Sequence, residues 1–122
     1  MNRKIYLIFG LLLNLILFIL SYIIPKKRNS ILLGCGGRGN LFKGNPKYFY
    51  LFLLQNKTQF SCVFTTGNKK IYERLNNKNY PVVFKYSLNG FWSVLRNQYI
   101  IIDESAKDVS YLGVLLGNFN IV

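Results

Sequence analysis

From Ile5 to Ile24 the chain runs twenty residues without a charge. A helix of that length rises about 30 Å, roughly one hydrocarbon thickness. Apolar on every side, it has to be covered by lipid or by the rest of the protein. Asn14 and Ser21 are its polar interruptions, Arg3-Lys4 precede it, and Pro25-Lys26-Lys27-Arg28 follow it. Tyr6 and Tyr22 stand near its ends, where amphipathic rings favour the membrane interface. A cleaved signal peptide is the rival reading. The apolar stretch is long for one, no Ala-x-Ala site follows, and Pro-Lys-Lys-Arg is a poor exit. The expectation is an uncleaved membrane anchor over residues 1–29, with Ile5, Leu12, Phe18 and Ile24 in contact with membrane lipid. Both flanks are basic. The count leans toward the Lys26–Arg28 side being cytoplasmic, which puts the soluble part on the cytoplasmic face of the cell membrane. A helix lying in the interface stays open, because basic flanks at both ends suit one anionic leaflet.

Residues 30–122 are enough for one modest α/β domain. With 51% hydrophobic residues the chain is too apolar for disorder. Its formal charge is +12, from 16 Lys+Arg against four acids, Glu73, Asp103, Glu104 and Asp108. The first 72 residues hold no acid at all. Such a bias suits an anionic neighbour, whether nucleic acid, lipid headgroups or a phosphate-rich polymer, and it also suits plain solvated basic faces. Nucleic acid is set aside as a partner, since no recognised binding module is present and an anchor argues against it. Cys35 and Cys62 form no CxxC pair and the chain has no His. Neither a metal site nor a cofactor is expected, and both cysteines read as buried, reduced thiols.

Strand-like and helix-like segments alternate after the anchor. Ile31-Leu32-Leu33 reads as a buried strand opening into a Gly-rich loop. Asn45-Pro46 reads as a helix start, with Asn45 as N-cap. Lys47 to Asn56 continues that helix, with Tyr48, Leu51, Phe52 and Leu54 as its inner face. Phe60–Thr66 is the second strand, and Lys69–Lys78 a helix with Ile71, Tyr72 and Leu75 inward. Val82–Phe84 is the third strand, Ser87–Asn97 a helix carrying Leu88, Phe91, Trp92 and Leu95, and Tyr99–Ile102 the fourth strand. Val109–Leu116 reads as a short helix with Asp108 as N-cap, and Phe119–Val122 as the start of a fifth strand. Continuous apolar strands separated by helices predict a Rossmann-like parallel sheet covered on both faces. Ending within a strand, the chain reads as the membrane-anchored front half of something larger.

Gly34-x-Gly36-x-x-Gly39 follows a strand, as a dinucleotide fingerprint does. Residues 40–44 separate it from the next helix, and no acid lies about 20 positions on. A loop needing positive φ is the plainer reading. The alternative is a loop at the sheet's carboxyl edge that meets an anionic substrate through Arg38 and Lys43. Asp103 and Glu104 close the fourth strand, where α/β folds place functional groups. They suit acid/base work or the capping of the next segment. The pair Phe91-Trp92 reads as core, and Lys69-Lys70 with Arg74 as a solvated face.

Taken in order, these segments resemble a known family. Ile24-Pro25-Lys26-Lys27, the Gly-bearing loop, Gly44-Asn45-Pro46-Lys47-Tyr48, Val63-Phe64-Thr65-Thr66, Tyr86-Ser87-Leu88-Asn89-Gly90 and Leu95-Arg96 with Tyr99-Ile100-Ile101-Ile102-Asp103 are similar to the N-terminal part of CDP-glycerol:poly(glycerophosphate) glycerophosphotransferases. The resemblance implies a GT-B-type enzyme of two α/β domains. It moves glycerol phosphate from CDP-glycerol onto a lipid-linked teichoic acid or capsular polymer. It places the acceptor on the first domain, near Arg38, Lys43 and Asn45, with Asp103 as a catalytic candidate. CDP-glycerol and the essential histidines belong to the second domain, which a complementing C-terminal fragment would have to supply. No turnover is expected from these 122 residues alone.

Overall fold

The computed structural model describes residues 3–56, 58–103 and 109. Helix α1 (Arg3–Ile23) takes up the apolar stretch. It is followed by β1 (Lys27–Leu33), the single turn α2 (Gly36–Gly39), α3 (Gly44–Gln55), β2 (Ser61–Thr66), α4 (Lys69–Asn77), β3 (Val82–Phe84), α5 (Leu88–Arg96) and β4 (Asn97–Ile101). The four strands form one parallel sheet in the order β3-β2-β1-β4. The helix and strand expected beyond Asp108 lie outside the described residues, as do Glu104 and Asp108.

The order dictates which face each helix covers. A parallel crossover is right-handed. The path from β1 to β2 to β3 moves one way across the sheet, and the path from β3 to β4 returns past both. So α3 and α4 lie on one face and α5 on the other. The buried clusters divide in the same way. Ile31, Leu33, Phe64, Tyr50 from α3 and Ile71 and Leu75 from α4 form one, and Leu32, Ile100 and Val94 from α5 form the other. Neighbouring residues of β1 enter opposite clusters, as period-two side chains must.

Local chemistry sets the ends. Asn68 accepts from the backbone N–H groups of Lys70 and Ile71 and so caps α4. That helix closes in a Schellman motif, with Asn79 at φ 60°, its N–H on the Asn76 carbonyl and the Tyr80 N–H on that of Leu75. Ser87 caps α5 through the Gly90 N–H at 3.1 Å. In β1, Asn29 at φ 56° makes an irregularity in the pairing with β4. Gln98 repairs it: its side-chain oxygen accepts from the Asn29 N–H, and its own N–H donates to Ser30 Oγ, both at 2.8 Å.

Three expectations need correction. Asn45 is not a cap: α3 already begins at Gly44, with Lys43 in the cap position and no side chain bonded there. The inner face of α3 is Pro46, Tyr50 and Leu53, with Leu51 and Leu54 partly buried against the same core, while Tyr48 and Phe52 are exposed. Residues 48–54 are all apolar, so their spacing cannot choose a face. Tyr50 goes inward because its hydroxyl donates to the Pro81 carbonyl at 2.7 Å. In α5 the buried residues are Gly90, Val94 and Leu95, whereas Leu88 and Trp92 are exposed. The constraint there is Gly90: a Cβ on it would sit 2.3 Å from the Phe84 carbonyl, so the helix meets β3 through the one residue that lacks a side chain.

Helix α1 is long and apolar enough to cross a membrane. Ile5, Leu12 and Phe18 are exposed, and Ile24 is half-buried just past the helix end. The basic flank after it is not a free tail, since Lys27 and Arg28 open β1. Leu17 and Ser21 are buried, and α1 lies against α5.

Candidate functional site at the carboxyl edge of the sheet

Ligands of open α/β sheets bind outside the carboxyl ends of the strands, where the strand order reverses. Here the reversal falls between β1 and β4, because the chain leaves β1 toward β2 and comes back to β4 on its other side. A crevice of about 450 Å³ opens beside this point, lined by Asn45, Pro46 and Phe49 of α3 and by Ile101, Ile102 and Asp103 after β4. Its volume lies within the usual range for small-ligand sites. The Gly34 N–H donates to the Ile101 carbonyl at 3.0 Å and holds the two strand ends together beneath it.

The Gly-rich segment does not form an open loop. It makes the turn α2, with Gly37 and Gly39 at φ 68° and 82°. The Gly39 carbonyl accepts from the Gly67 N–H at 2.9 Å and from Thr66 Oγ1 at 3.1 Å. Asn68 Nδ2 donates to the Asn40 carbonyl at 3.2 Å. The glycines thus span from the end of β1 to the end of β2 and serve the turn itself. This is the plainer of the two sequence readings. Cys35 Sγ faces the Lys43 carbonyl at 3.2 Å, which fixes the loop that leads into α3. Phe42 completes the anchorage, with its ring 4.9 Å from that of Phe64 and 6.1 Å from that of Tyr50.

Of the expected site residues, Asn45 and Asp103 share the crevice. Lys43 is exposed two positions before Asn45 and does not line it. Arg38 lies in α2, and its side chain is outside the described residues. Pro46, Phe49, Ile101 and Ile102 are the part that sequence reasoning missed; their only signal was position at a helix start and a strand end. A carboxylate and a carboxamide over an apolar floor can accept and donate hydrogen bonds to a hydroxylated ligand. Among the described residues the crevice holds one carboxylate, which offers one general base.

A second crevice, of about 440 Å³, lies at the opposite edge of the sheet and includes Lys27, Cys62, Trp92 and Arg96. Trp92, expected in the core, is 52% exposed beside it. Burial pushes the Cys62 thiol up to about 11, so at neutral pH it is a protonated core group and no nucleophile. The Tyr50 phenol is likewise raised by burial and stays neutral. Among the described residues no cluster of His, Cys, Asp and Glu could hold a metal ion. No family model, curated protein or solved structure matches the chain.

Proposed function

We propose that this chain is the acceptor-side part of a membrane-associated glycerophosphotransferase, the first half of a GT-B-type enzyme that passes glycerol phosphate from CDP-glycerol to a lipid-linked teichoic acid or capsular polymer. The observation that carries the reading is the pairing of Asn45 with Asp103 in a crevice at the strand-order reversal, in a domain joined directly to an apolar helix. A polyol phosphate offers hydroxyls to such a pair, and the basic surface suits its phosphates. In the full reaction an acceptor hydroxyl attacks the β-phosphate of CDP-glycerol. The new bond is phosphorus to acceptor oxygen, the broken one is the pyrophosphate link, CMP leaves, and the hydroxyl proton passes to a base. Phosphate stabilisation and most proton transfer would come from a second α/β domain, because this chain has no histidine. The soluble part would face the cytoplasm.

The test is retention of poly(glycerol phosphate) by the full chain in detergent micelles, with inorganic polyphosphate as competitor. Retention that survives polyphosphate and disappears in the N45A/D103A double variant supports the reading. Displacement by polyphosphate at equal charge, with the double variant unchanged, reduces the binding to simple charge attraction and sinks it. Turnover of CDP-glycerol by the chain alone would overturn the assignment of catalysis to another domain.

One rival is a non-catalytic membrane-anchored module that holds an anionic polymer or a partner enzyme, which the crevice's one carboxylate among the described residues suits. A truncated product with no function is the other. The module binds polymer with no gain when a complementing C-terminal fragment is added, and the truncated product binds nothing.

A further inference from the structure

Helix α1 does not stand clear of the domain. It packs on α5, and its less exposed residues, Gly10, Leu13, Leu17, Leu20 and Ser21, recur at three- and four-residue spacing as one stripe. The two helices run in the same sense. Their carboxyl ends meet where Lys26 Nζ donates to the Leu95 carbonyl at 2.9 Å and Arg96 donates to that of Pro25, while Leu13, midway along α1, shares a groove with Leu88 at the start of α5. The domain therefore flanks the second half of α1, about 15 Å of its rise.

Opposite the stripe, Ile8, Leu11, Leu15, Ile19 and Tyr22 are between 48% and 68% exposed. An upright, membrane-crossing α1 docked in this way would carry the start of α5, where Asn89 is exposed, to the level of Leu13 at the middle of the bilayer. Polar side chains and turn backbone facing lipid are costly at that depth. Laid flat, the same helix sinks its outer face into hydrocarbon, and the domain takes the place of the polar face that an interfacial helix needs. The charges agree. Arg3 lies before one end, Lys27 and Arg28 beyond the other, and all three are exposed. A flat helix brings both ends to one surface, whereas a crossing helix gathers its basic residues on one side. The first 72 residues hold no acid, so that surface is anionic, and the same charges repel a second copy of the chain.

We infer that α1 lies in the plane of one anionic leaflet, with its outer apolar face in the hydrocarbon and the domain seated on its inner stripe, and does not cross the bilayer. Both termini of the helix then stay on the domain's side of the membrane. The inference does not rest on the transferase reading. It concerns how the domain is held at the surface, whatever the carboxyl-edge crevice binds.

The test places the full chain in sealed phosphatidylglycerol vesicles as an Arg3→Cys/Arg28→Cys double variant and labels it with a membrane-impermeant maleimide. Mass spectrometry counts the labels on each molecule. A flat helix gives two labels or none, according to the leaflet occupied, and a crossing helix gives one label on every molecule. Cys35 and Cys62 are buried, and the wild-type chain sets their background. Should the double variant fail to fold by circular dichroism, Lys4→Cys with Lys27→Cys is read in its place. Flotation with vesicles checks the choice of lipid: Arg28→Gln should weaken binding to phosphatidylglycerol about fivefold and leave binding to phosphatidylcholine unchanged. Single labelling overturns the proposal, as does equal affinity of the wild type for the two lipids. A dimer that leaves both kinds of vesicle unbound overturns it too, and gives the outer face of α1 to a second copy.

Discussion

On the face covered by α3 and α4, Phe64 packs against Tyr50 and Phe42 with ring centroids 5.4 and 4.9 Å apart, and aliphatic residues from both helices close around them. On the face covered by α5 and α1, the buried apolar residues among those described are fewer and smaller, Leu32, Val94 and Ile100 with Val109, and a groove lies beside them. The first face is held by rings that pack edge to face against one another. Among the described residues the second is sealed only in its middle. A sheet needs cover on both faces, yet it does not need equal cover. The thinner face is the one that the apolar helix α1 lies against.

Substitution tests that difference most strongly in the two cores. Phe64→Ala is expected to destabilise the fold by about 3–5 kcal/mol. Val94→Ala, which loses two methyl groups, should cost about 1–2 kcal/mol. Thermal unfolding in micelles reads both, and equal losses would break the comparison. Next comes Gly90→Ala, where a new Cβ meets the Phe84 carbonyl, with an expected loss of about 1–3 kcal/mol. Gly10→Ala is its control, because nothing lies within 4 Å of the added atom. It should leave the midpoint unchanged or raise it.

Capping gives a smaller effect that sharpens the account of the first face. Asn68→Ala should cost about 1 kcal/mol, and Asn45→Ala close to nothing, since only Asn68 bonds to helix N–H groups. Smallest is a pH effect from Cys62. Its folded pKa of about 11 lies above the ordinary value of 9.0. Its contribution is complete below pH 9 and is lost as the pH rises toward 11, because the unfolded chain gives up the proton first. Lys26 works the other way, since desolvation holds its ammonium below 10.5 and its contribution grows toward alkaline pH. The unfolding midpoint should fall between pH 9 and 11, and Cys62→Ala should flatten that fall. An unchanged slope in C62A would move the effect to another group.

The order of strands and helices was legible because strand runs such as Val82-Val83-Phe84 sit between clear turn residues, and Asn79-Tyr80-Pro81 can hardly continue a helix. Helix faces were legible where polar residues marked the outside. In α4 only Ile71, Tyr72 and Leu75 are apolar, and Ile71 and Leu75 are the ones buried. In α3 and α5 that contrast is missing. Phe49, Phe52 and Trp92 carry large apolar area outside the core, and only a carbonyl outside the helix, that of Pro81 for α3 or of Phe84 for α5, decides which residue turns in. The site was half legible. Asn45 and Asp103 followed from their places at a helix start and a strand end, but their meeting depends on β4 pairing with β1, a contact across about seventy residues that no local pattern encodes.

The link between α1 and the sheet is only Ile24 to Lys26, and it is tied on both sides to the end of α5 by Lys26 and Arg96. A longer glycine-rich tether would let the domain tumble at its tether point. This short, double-tied joint behaves as a bracket. The heading of α1 is passed to β1, the strand beside which the carboxyl-edge crevice opens, so whatever holds the helix also sets the direction from which that opening can be reached.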